Sequence, residues 1–152
     1  MKIHPAWRAL SVAAVAMVAF GLAWAWCNLG ERQEAASRRG YVLERLDAGQ
    51  LRVADFLAAR LAHDFAALEW TARLRATTST LVAANALLQQ RHASDARARL
   101  APLVAEGDAP AAAHFLLGRA LILLGEKAAG EAEQAKAREL APDAPFFRQG
   151  KE

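Results

Sequence analysis

The side chains that most often carry chemistry are few in this chain and far apart. Its four histidines, His4, His63, His92 and His114, share no spacing that would bring two of them onto one metal ion. His63 and Asp64 adjoin in sequence, but adjacent residues on a helix do not face each other, so they form no dyad. Cys27 is alone, which excludes an intramolecular disulfide, and it reads as a small apolar residue at the end of an apolar run. No serine or cysteine lies in a nucleophile motif, and no glycine loop precedes a basic residue in a phosphate-binding pattern. The expectation is a non-enzymatic chain without metal or cofactor, whose chemistry is that of binding.

Composition narrows the class further. Alanine is about a quarter of the 152 residues, so the hydrophobic fraction of 55% overstates the core while favouring helix. Glycine and proline cluster at a few points and Val/Ile/Thr runs are scarce, which predicts an all-α fold. The net charge of +3 invites a nucleic-acid partner, but its distribution argues against one. Lys2 and Arg8 precede the apolar run; the remaining 17 basic residues face 16 acidic ones and are interleaved with them. No nucleic acid is expected.

The elements that must position any site begin with a basic flank, 1–8, and an uncharged segment, 9–27. Trp7 stands at one end of that segment, Trp24 and Trp26 at the other, separated by roughly 26–29 Å of helix. This matches the hydrocarbon thickness of a bilayer, whose interfaces indole prefers, and predicts a retained transmembrane helix. A cleaved signal peptide is the alternative, since Ala23 and Ala25 flank Trp24 as the small residues of a cut before Trp26. A lipoprotein signal would need a small residue before Cys27, where Trp26 stands. The short basic start predicts a single-pass inner-membrane protein with its bulk in the periplasm, although Arg32, Arg38, Arg39 and Arg45 pull the other way.

Beyond the membrane, 28–50 reads as a charged connector weakened by Gly30, Gly40 and Gly49. Residues 51–76 show helical periodicity, with a break near His63-Asp64, and read as one or two helices capping the helical region downstream. Thr77–Thr80 reads as a helix start, with the helix running to about Arg91. Ser94 is the expected N-cap of the next helix, with Asp95 well placed against its dipole, and 106–110 ends it. Pro102 inside that helix predicts a kink.

Residues 111–144 fit one 34-residue template of two antiparallel helices closed by a proline. Leu117 and Gly118 stand at its seventh and eighth positions, followed by Ala120 and Leu121; Gly125 makes the turn, and Ala137, Leu140 and Pro142 complete the second helix. This pattern resembles the tetratricopeptide repeat. A weaker copy, 77–110, aligns Ala84 with Gly118, Ala86 with Ala120, Leu87 with Leu121 and Ala96 with Gly130. His114, Gly130 and Gln134 depart from the template, and Gly130 is expected to weaken its helix by ~1 kcal/mol.

The resemblance implies a domain over 77–145 in which the first helix of each repeat lines a groove for a partner's peptide or helix. Its groove positions fall on Thr78, Leu81, Asn85, Leu88 and Gln89, then on Ala112, Phe115, Arg119, Ile122 and Leu123. Asn85 and Arg119, at equivalent places, would grip a partner's backbone or carboxylate, with Gln89 a further partner-binding position of the groove, and Phe115, Ile122 and Leu123 would form an apolar patch. The tail, 146–152, opens with Phe146-Phe147, which either fold back over the last repeat or meet a partner. Membrane-held members of this family serve the assembly or maturation of envelope complexes, such as cytochrome c maturation, pilus or secretion machines. A structural subunit of a membrane homo-oligomer is the alternative from another class.

Overall fold

A computed structural model describes the backbone of residues 5–147 and the side chains of residues 17–147. Every regular element among them is helical: α1 (Pro5–Asp47), α2 (Leu51–Asp64), α3 (Glu69–Gln89), α4 (Ala93–Ala105), α5 (Ala111–Leu123), α6 (Lys127–Leu140) and a short 3-10 turn, Pro145–Phe147. The chain divides between Ser37 and Arg38, inside α1, into two compact units.

In the first unit, apolar side chains surround the helix. Met17, Val18, Phe20, Leu22, Trp24 and Trp26 are all exposed, Phe20 at 75% and Trp26 at 79%. At about 100° per residue they fall on every side of α1. Among the described residues no helix is long and apolar enough to cross a membrane. The side chains of 9–16, which form the first part of the expected span, and those of the basic flank lie outside the described residues.

The expected connector, 28–50, is instead helical to Asp47. Gly30 and Gly40 lie within it with open space where a Cβ would be. Each costs ~1 kcal/mol relative to alanine, which Glu31–Ala36 and the packing of Val42 and Leu46 offset. The helix stops at Gly49, whose φ of +71° is left-handed. There the Gln50 amide donates to the Arg45 carbonyl and the Gly49 amide to Leu46. The same pair of bonds recurs at Arg91 (φ +64°) and Gly125 (φ +86°), closing α3 and α5. In contrast, none of α2–α6 has a side-chain hydrogen bond at its N-cap; these residues are Gln50, Leu68, His92, Pro110 and Glu126.

The second unit is a series of helix pairs, each helix packing on its sequence neighbour, with α3 also touching α5. Arg38 reaches Asp64 at 2.8 Å and ties the last turns of α1 to the end of α2. The break at His63-Asp64 falls where expected, but α3 begins at Glu69 and runs straight through Thr77–Thr80. Thr78 is buried, its hydroxyl placed 3.0 Å from both the Asp55 carboxylate and the Arg75 carbonyl. A buried threonine with such acceptors is tolerated mid-helix, so the boundary at 76/77 does not exist. Ser94 is not the N-cap either: α4 starts one residue earlier, with Asp95 in its first turn as expected. α4 accommodates Pro102 near its end.

Alanine lets these helices approach closely, and the core is built from Ala54, Ala58, Ala84, Ala96, Ala112, Ala113 and Ala120 with Leu81, Leu88, Leu100, Leu116 and Leu117 between them. The tightest crossing joins α5 to α6. A Cβ on Gly118 would lie 2.7 Å from the Gly130 carbonyl oxygen, and one on Gly130 would lie 2.7 Å from that of Gly118. Gly130 is therefore the second half of a close backbone crossing, not a defect in its helix. His114, in place of the template's aromatic, is buried with its Nδ1 2.7 Å from Glu133 on α6. Leu140, expected as a closing core contact, is 54% exposed.

Candidate functional site

The face expected to form the groove is only partly open. Its first half fails at Thr78 and Leu81, which are buried; Thr78 is turned to Asp55 of α2. Farther along α3, Asn85 is half-buried and Gln89 is exposed. On α5, Ile122 is turned towards α6, since its Cγ1 would lie only 2.6 Å from a Cβ on Gly130. It packs at the edge of the helix crossing and remains 38% exposed. Leu123 is exposed, one residue before the C-cap Leu124.

Phe115 and Arg119, one turn apart on α5, are brought together. The Arg119 guanidinium lies 5.9 Å from the centre of the Phe115 ring. Phe146 stacks against Phe115 with centroids 4.6 Å apart, and Phe147 meets it edge-on at 5.4 Å. Arg138 of α6 lies over Phe147 at 5.2 Å. Phe146 also reaches the α1–α2 turn, where its ring would touch a Cβ on Gly49 at 3.7 Å. Phe146 and Phe147 thus fold back over the last helix pair, as one of the two expected arrangements has it.

Beside this cluster is a cavity of about 390 Å³ that none of the expected binding residues lines. Leu43 and Leu46 of α1, Leu74 of α3, Leu103 of α4 and Leu140 of α6 supply its apolar wall. Arg39, Arg73, Asp47, Glu106 and Asp108 supply charges of both signs, and Trp70 carries the Arg39 guanidinium 5.5 Å from its ring centre. Partial desolvation at the wall pushes the carboxyl of Asp47, a residue that is itself surface-exposed, above the usual carboxylate range. The cavity offers apolar surface with a mixed-charge edge, which suits an amphipathic segment. It has one hydroxyl, Thr77, and no histidine or cysteine to activate. Among the described residues no three His, Cys, Asp or Glu side chains are grouped to hold a metal.

Seven of the lining residues, those of α1 with Trp70, Arg73 and Leu74, lie in stretches expected to be connector and cap, and the others lie in the repeat domain away from its groove positions. A signal was present. Arg39, Leu43, Leu46 and Asp47 fall at i, i+4, i+7 and i+8, and Trp70, Arg73, Leu74 and Thr77 at i, i+3, i+4 and i+7. Each set marks one helix face that mixes arginine with leucine. Compared with protein-family models, curated proteins and solved structures, the chain matches none.

Proposed function

We propose that this chain is a membrane-held helical adaptor of the tetratricopeptide kind, which docks a segment of a partner protein during assembly or maturation of a bacterial envelope complex. The observation that carries it is the cavity between α1, α3 and the α4–α5 connection, lined by leucines together with charges of both signs. The repeat reading is supported by register. The left-handed residues Arg91 and Gly125 are 34 positions apart, as are the helix ends Gln89 and Leu123 and the helix starts Ala93 and Lys127. It is supported again by small buried residues at each crossing, Ala84 with Ala96 and Gly118 with Gly130.

A membrane anchor over 9–27, with the second unit on the periplasmic side, is part of the same proposal. Its support is the ring of exposed apolar side chains from Met17 to Trp26, since a helix apolar on all sides needs lipid or protein around it. A C-terminal alkaline phosphatase fusion tests the orientation: activity agrees with export, and an inactive fusion overturns it. Docking is tested by a photo-crosslinking residue at Leu140, beside the cavity, against one at exposed Ala98 as a control. Partner adducts at Leu140 alone are expected; equal yields at both positions would sink the cavity as the docking site.

Val53 and Phe56, exposed at i,i+3 on α2, favour the structural-subunit reading, since they offer an apolar strip to another copy. The mass of the detergent-solubilised chain separates the two. One discrete homo-oligomer that Phe56→Ser disperses would favour the subunit, and a monomer or dimer carrying other proteins the adaptor.

A further inference from the structure

The segment Pro145–Phe147 is held differently from the rest of the second unit. Its backbone bonds are local: the Ala144 amide donates to Ala141 and the Phe147 amide to Ala144. What joins it to the helices is ring contact, through Phe115 on α5 and the backbone at Gly49. Both phenylalanines remain half-buried. Two guanidinium groups, Arg119 and Arg138, frame the cluster. A segment with the same aromatic pair and an acid beside it would add to these ring contacts an ion pair with the two arginines.

We propose that the α5 face around Phe115 and Arg119 docks a partner segment bearing two adjacent aromatic residues followed by an acidic one, and that Pro145–Phe147 closes this face in the free protein. The inference rests on the adaptor reading and adds to it a second docking face, distinct from the cavity, with the chemistry of the segment that fills it. Closure is intramolecular: the tail follows α6 after four residues, so its effective concentration at the face is on the order of millimolar. A competing segment binds only the open fraction, and its apparent affinity is reduced by that fraction.

The test uses the full chain in detergent and the labelled peptides APFFEQG and APFFRQG, with binding read by fluorescence anisotropy. Phe146→Ala/Phe147→Ala should bind APFFEQG at least about tenfold more tightly than the unaltered chain does. The APFFRQG peptide should bind several-fold more weakly, and Arg119→Gln in the opened chain or high salt should remove the difference. A Gly/Ser insertion of ten residues after Asp143 keeps both rings and serves as the second opened variant; it should tighten APFFEQG binding a few-fold through the longer tether. Equal affinity for the closed and opened chains, or no peptide binding by the insertion variant with its melting curve intact, overturns the proposal. If the double variant loses helicity, the segment is scaffold and the insertion variant decides the question. Should opened chains bind the peptide while no partner is crosslinked at Leu140, the face stands and the cavity falls as a docking site. Partner crosslinking that is indifferent to Phe146 and Phe147 leaves the adaptor standing and removes this proposal.

Discussion

A single pair of glycines lets α5 and α6 cross backbone against backbone. Gly118 is recognisable in sequence as half of a Leu-Gly signature, whereas Gly130 looks like a flaw because helix propensity is local and the crossing is not. Only the 2.7 Å separations show that the second glycine answers the first. In Gly130→Ala, the gain of ~1 kcal/mol in propensity opposes ~1–3 kcal/mol of overpacking against backbone atoms that cannot swing aside. Overpacking should prevail, and a thermal melt followed by circular dichroism should show a fall of several degrees. Ala96→Gly, at the matching place in the preceding pair, has no clash to relieve and should lose ~1 kcal/mol outright. Glu133→Ala leaves buried His114 without its partner and should cost ~1–3 kcal/mol, where the same change at exposed Glu131 should cost little. Asp47 gives a test in pH. Its folded pKa is raised, so its ionised form destabilises the fold above that value, and stability recovers as pH falls through it. Asp47→Asn should therefore melt higher than the unaltered chain at pH 7, with the gap closing in acid. A gap independent of pH would mean the carboxylate is not penalised by burial.

At the scale of elements, three of the four left-handed helix ends, those of α1, α3 and α5, invite a direct comparison. Gly49 and Gly125 adopt that conformation freely, but at Arg91 the Cβ makes it costly, by about 1–2 kcal/mol. Arg91→Gly should stabilise the domain by roughly 1 kcal/mol in urea titrations and Gly125→Ala should destabilise it by a similar amount, an inverse pair that depends on φ alone. Much of the helical order was legible. The break at His63-Asp64, the turn at Gly125 and the stop around Gly107 and Pro110 are local chemistry, and local chemistry is written in the residues. Two boundaries were not. The 34-residue period, run backwards from Ala111, lands at Thr77, but α3 has eight further residues at its front that no period announces. Gly30 and Gly40 resemble breakers until Val42 and Leu46 are seen to be anchored in the core.

The whole molecule joins a helix with apolar residues on every side to a unit of stacked pairs. If the first is an anchor, the protein should resist alkaline carbonate extraction and its intact mass should include the residues before Trp26; a mature N-terminus at Trp26 would mean a cleaved signal. The aromatic closure by Phe146 and Phe147 was legible as one of two arrangements. The cavity was not, because α1, α3, α4, the α4–α5 connection and α6 all contribute to it and only the fold assembles them. The position of the helix closures has a mechanical consequence. In α3–α4 and α5–α6, the left-handed residue pins one end of the pair, at Arg91 and Gly125, and no side-chain cap holds the first turn of α3 or α5 at the other. The ends away from those turns, with Trp70, Leu103, Ala111 and Leu140, are the ones that border the cavity. Each pair is joined at its turn, so a spreading of its far ends is the motion that would widen the cavity. Native-state amide exchange should register this as a gradient, with protection rising along α3 towards Leu88 and along α5 towards Leu121, and the slack gathered where a ligand would enter.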